Sequence, residues 1–198
     1  MDLDEARARI LDAAEKLFYD RGIQSVGMDE LRTAAGVSLK RLYQCFPAKH
    51  DLVEAYLRRR DARWRASLGA YVAAHADAPE VRPLAVFDWL YAWFSGPDFR
   101  GCAFINAFGE LGATSAGVGS VAREHKGALL SYLTDLVRAV PVAPPEALAG
   151  QLALLVDGAI TTAAITGEPD AARRARAAAE ALLAAAGAGD AGRAAASA

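Results

Sequence analysis

The chain has 198 residues, 54% of them hydrophobic and 23% charged, and 22 Lys and Arg against 24 Asp and Glu leave a formal net charge of -2. That length suits one large domain or a small domain joined to a bigger one, with ample material for a packed core. No stretch reaches the roughly 18 uninterrupted apolar residues of a bilayer span, and the two cysteines, Cys45 and Cys102, form neither a disulfide framework nor a C-x-x-C pair.

The opening "MDLDEARARI" is charged and lacks the apolar run of a secretion signal, so the expectation is a cytoplasmic protein with no membrane partner. Alanine and arginine are abundant, while Val, Ile and Thr are too scattered for regularly spaced strands. The expected fold class is therefore all-α. Charge is uneven along the chain. Residues 1–66 hold 13 Lys and Arg against 11 Asp and Glu, a net of +2, whereas residues 67–198 hold 9 against 13, a net of -4. Between 31 and 50 stand Arg32, Lys40, Arg41 and Lys49 with no acid. A basic spot on an acidic protein points to a polyanion bound locally.

In chain order, Ile10, Ala14, Leu17 and Phe18 recur at helical spacing, and Gly22 follows as a stop. "MDELRTAAG" predicts a second, short helix with Met28, Leu31 and Ala35 inward, Asp29 and Glu30 at its positive end, and Gly36 closing it. Val37 makes a tight turn and Ser38 caps a third helix whose apolar stripe is Leu39, Leu42, Tyr43 and Phe46. Three short helices with a glycine-containing turn between the last two make the helix-turn-helix pattern. If 38–46 is a recognition helix, Lys40, Arg41 and Gln44 point outward. Arg offers bidentate donors to guanine, Gln can pair with adenine, and Lys serves a base or a phosphate. Carboxylates on that face would repel DNA. Lys49, past Pro47, can add a phosphate contact.

The N-terminal stretch also resembles a known family. Ala13, Ala14, Leu17, Phe18 and Gly22, then Ala35-Gly36-Val37-Ser38, then Leu42-Tyr43, Phe46, Lys49 and Leu52 are similar to the DNA-binding domain of the TetR family of bacterial repressors, over about residues 7 to 57. The resemblance implies an all-helical homodimer with an N-terminal helix-turn-helix domain and a larger C-terminal domain that dimerises and encloses an inducer pocket. It also implies phosphate contacts from Tyr43 and Lys49, with Ser38, Lys40, Arg41 and Gln44 at the recognition helix. Gly27 stands where the family often has a phosphate-contacting Thr or Ser, and Arg32 can supply another contact or simply project into solvent.

Beyond residue 49 the pattern predicts a long helix to about His75, a polar connection, a helix through "LAVFDWLYAWF", and a short one through "CAFINAFGELG". Further helices follow at 115–140, after "PVAPP", and at 170–186, ahead of a low-complexity Ala/Gly tail. The expected organisation is a DNA-binding domain at 1–48, an effector-binding and dimerisation domain at 49–187, and a disordered tail at 188–198. The aromatic density of Phe87, Tyr91, Phe94, Phe104 and Phe108, with Trp89, Trp93 and Phe99 among them, reads either as core or as a cavity for a hydrophobic or aromatic molecule, oriented by Asn106, Glu110 or His125.

In the apolar helix "LALLVDGAITTAAI", Asp157 should be paired if buried, and Gly158 with its neighbouring alanines permits close helix approach. That suits a dimer interface through Leu148, Leu152, Leu155, Ala159, Thr162 and Leu182, with packing inside one subunit as the alternative.

Other signals are set aside. "GAGDAG" at 187–192 follows a helix rather than a strand, so dinucleotide binding is rejected. His50, His75 and His125 have no H-E-x-x-H spacing and no nearby cysteine, and there is no G-x-S-x-G. No metal, cofactor or catalytic group is expected. Cys45 reads as a thiol sensor or as an inert half-buried cysteine. The function expected is a ligand-responsive transcriptional repressor binding a palindromic double-stranded operator as a homodimer and released by a small effector. The alternative is a helical small-molecule-binding or scaffold protein without regulatory DNA binding.

Overall fold

Asp2 starts the first helix: its Oδ1 accepts the Glu5 N–H at 2.7 Å, and α1 runs Leu3–Arg21 until Gly22 turns the chain with φ 85°. The computed structural model describes residues 1–142 and 144–196, with side chains as far as 187. Among these residues the remaining elements are α2 (Met28–Ala35), α3 (Leu39–Cys45), α4 (Lys49–His75), a 3-10 turn (Pro79–Val81), α5 (Arg82–Phe94), α6 (Ala103–Leu111), α7 (Ala116–Arg138), α8 (Pro145–Thr166) and α9 (Ala171–Ala196), with no strand. The fold is all-α, as the propensities require.

Two compact units form, one from Met1–Trp64 with Cys102–His125 and one from Arg65–Gly101 with Lys126 onward. In the first, α1 packs on α2 and α3. Ile10, Ala14, Phe18, Leu31, Leu42 and Phe46 are buried there with Leu52, Val53, Tyr56 and Leu57. The Phe18 and Tyr56 rings meet edge to face at 5.6 Å, a geometry that aligns ring edge with ring face. Gly36 takes the left-handed conformation at φ 64°, where an L side chain is strained. Its N–H reaches back to the Thr33 carbonyl, closing α2 so that Val37 and Ser38 can start α3.

In the second unit α5 is buried over most of its circumference and packs against α8 and α9. Arg176 of α9 pairs with Asp88 of α5 at 2.9 Å, and the Arg173 guanidinium lies 4.0 Å from the centre of the Tyr91 ring. Asp157, expected to need a partner, pairs with Lys126 of α7. By length and composition α8 is apolar enough to cross a membrane, contrary to the span count made on the bare sequence. Its Leu148, Leu152, Val156 and Ile160 are buried in the subunit, against the neighbouring helices.

α9 extends to Ala196, beyond the expected end at 186. Alanine has the best helix propensity, and the glycines cost only about 1 kcal/mol each. Residues 197–198, and the side chains of the whole expected tail at 188–198, lie outside the described residues.

Candidate nucleic-acid interface

The Ser38 hydroxyl caps α3 by accepting the Arg41 N–H at 3.2 Å, a contact worth about 1 kcal/mol. The helix then turns Leu42 and, past its end, Phe46 into the core, at 0% and 1% exposure. Positions four apart on a helix lie nearly in line, so Leu39 and Tyr43 share the next line round. They are 48% and 46% exposed. The predicted four-residue apolar stripe is therefore corrected to two buried residues, because a seven-residue helix on a small core buries one narrow line. Ser38, Lys40 and Gln44 are also exposed, and Arg41 is half-buried. One outward face thus presents a cation, an amide, a phenol and an apolar side chain with no carboxylate. Such a face can bond phosphates through Tyr43 and Lys40, bond base edges through Gln44, and touch a thymine methyl through Leu39.

Two expected contacts are engaged elsewhere. Arg32 donates its Nε–H to Asp29 at 2.8 Å. Lys49 donates from Nζ to the Ile23 carbonyl at 2.7 Å. Burial holds the Lys49 ammonium below the ordinary lysine value, with Glu110 pulling it back up. Cys45 is half-buried, its carbonyl accepting from Arg7 at 3.1 Å and its sulfur 3.8 Å from the Leu3 carbonyl.

The residues expected to bind an effector divide between the two units. Phe87 and Phe94 are buried in the second unit, with Tyr91 half-buried under Arg173. In the first, Phe104 stacks on the His125 ring at 3.7 Å, and His125 Nδ1 lies 2.7 Å from Asp61 Oδ1. Asn106 and Phe108 face solvent. The Glu110 carboxylate accepts backbone N–H bonds from Ile23 and Gln24. An open groove of about 600 Å³ lies on α1 and the end of α2, lined by Arg9, Asp12, Ala13, Lys16, Leu17, Ala34 and Ala35, none of them an aromatic named for the effector.

Of the residues expected at a dimer interface, Leu148, Leu152 and Ala159 are buried inside the subunit, Leu155 and Leu182 are half-buried, and Thr162 is exposed. On α8, Leu154 and Ile165, which the sequence reading does not name, are 75% and 80% exposed. The signal available was their spacing from Thr162 and Gly158 along one line of α8.

A capped, acid-free helix held by two others across a left-handed glycine turn defines a helix-turn-helix DNA-binding protein. The family model described as "Bacterial regulatory proteins, tetR family" matches residues 10–56. SCO4454, a TetR-family transcriptional regulator from Streptomyces coelicolor, is 31% identical over 93% of this chain and 97% of that one, with a TM-score of 0.85. A putative TetR transcriptional regulator (sav143) from Streptomyces avermitilis is also 31% identical, over 91% and 97%, with a TM-score of 0.79. Over the head alone, the HTH-type transcriptional activator FasR of Mycolicibacterium smegmatis is 48% identical across 56 residues, 28% of this chain and 26% of FasR. The match thus spans about a quarter of that curated relative. The chain belongs to the TetR family of transcriptional regulators.

Proposed function

We propose that this regulator is a homodimeric repressor that binds a palindromic operator and leaves it when a small hydrophobic or aromatic effector binds. Residues 1–48 act as the DNA-binding head, and 49–187 carry effector binding and dimerisation. The observation that carries the reading is the outward face of α3, where Ser38, Lys40, Tyr43 and Gln44 are exposed on a helix without an acid. Arg41 joins them for base reading, while Arg32 and Lys49 reach phosphates only by leaving their present partners.

Dimerisation uses the exposed line Leu154, Gly158, Thr162 and Ile165 of α8. A side chain added at Gly158 would meet nothing within 4 Å in the subunit, which leaves room for a partner helix. The head is shared with a relative named as an activator, so the sign of regulation follows from where the operator lies relative to the promoter. An effector shifts the protein off DNA only by its differential affinity for the released state.

Titrating the protein onto duplex DNA at stepped salt tests the reading. The logarithm of the affinity should fall linearly with the logarithm of salt. An undetectable or salt-independent interaction would leave the scaffold alternative in its place.

A further inference from the structure

Glu110 and Lys49 meet at a single turn. Glu110 Oε1 accepts the Ile23 N–H at 3.0 Å and Oε2 accepts the Gln24 N–H at 2.8 Å. Gln24 returns a bond from Nε2 to the Glu110 carbonyl at 2.6 Å. From α4, Lys49 Nζ donates to the Ile23 carbonyl at 2.7 Å. Ile23 is thus held at both its N–H and its C=O, by residues 87 and 26 positions away in sequence. Gly22 at φ 85° brings the backbone close, since a Cβ there would sit 3.2 Å from Glu110 Oε1. Bonds from backbone N–H groups to a carboxylate are charge-assisted and stronger than neutral ones. Four residues past Ile23 stands Gly27, the N-cap of α2, which has no side chain of its own to fix the start of that helix.

We infer that Glu110 is a positioning residue for DNA binding: by gripping the Ile23 and Gln24 amides it fixes the α1–α2 turn, and with it the start of α2. This inference rests on the DNA-binding reading above. Packing of α1 on α2 and α3 keeps the head folded without Glu110, and the grip sets where the turn sits.

The experiment compares wild type, Glu110→Gln and Glu110→Ala by backbone amide hydrogen exchange and by affinity for an operator duplex selected from random DNA with the wild-type protein. Glutamine keeps one acceptor oxygen. In Glu110→Ala, exchange at Ile23 and Gln24 should quicken about tenfold and operator affinity should fall about tenfold, with smaller changes in Glu110→Gln. Amides of α1 and α3 should keep wild-type protection. Operator affinity within about twofold of wild type in Glu110→Ala would overturn the inference. So would a loss accompanied by faster exchange throughout α1 and α3, which marks a structural role only. Wild-type protein that binds no duplex would overturn the DNA-binding reading itself, whereas a binding wild type with an indifferent Glu110→Ala would overturn only this step.

Discussion

Arg41 and Leu42 stand side by side in α3 and do opposite things. Leu42 is fully buried, whereas Arg41 is half out in solvent and begins the face proposed to meet DNA. If Arg41 is bidentate to a guanine, Arg41→Ala costs about 1–3 kcal/mol at one operator position. Affinities for single-base operator variants check this, and an equal loss on every variant would assign Arg41 to a phosphate. Leu42→Ala should cost about 2–5 kcal/mol of stability in denaturant unfolding, because a head with so small a core has little to collapse into the cavity. A cost below about 1 kcal/mol would mean that the core repacks.

At this scale the legible residues were those whose partners are local. Ser38 caps a helix three residues on, and Gly36 closes a turn two residues long. Glu110 is one of three polar candidates, with Asn106 and His125, that the aromatic density suggests for orienting a ligand. Its partners are 86 and 87 residues away, and no spacing rule reaches that far.

Among the elements, α4 and α8 show what periodicity decides and what it leaves open. The span Lys49–His75 was readable because Pro47 precedes it and its apolar residues recur on one side. On α8 nearly every face is apolar, so the expected interface through Leu148, Leu152, Leu155, Ala159 and Thr162 stands beside packing inside one subunit. Leu148, Leu152 and Ala159 are buried within the subunit, whereas Leu154 and Ile165 face out. Tyr56 of α4 is buried against Phe18, and burial raises its phenol above the ordinary tyrosine value of 10.0, with nearby Arg60 opposing. The fold thus holds the neutral phenol. Its contribution is complete below pH 10.0 and is lost as pH rises past that value, where the unfolded chain ionises first. Thermal midpoints measured across that range should fall in wild type and fall less in Tyr56→Phe. Equal slopes would mean that other groups carry the alkaline loss.

For the whole molecule, two-fold symmetry is the step that turns one recognition helix into an operator reader. Replacing Leu154 and Ile165 together by Glu places like charges opposite each other in a symmetric α8 interface. The variant should sediment as a monomer and lose operator binding, with helical content unchanged. A dimer that survives both substitutions would move the interface elsewhere.

The central claim, sequence-specific binding by a symmetric dimer, is tested most directly by selecting from random duplex DNA with the purified protein and sequencing the enriched pool. The enriched pool should carry an inverted repeat whose half-site centres lie about 34–36 Å apart, or a multiple of that distance, along the duplex. A single unrepeated site, or no enrichment even at low salt, would contradict that claim.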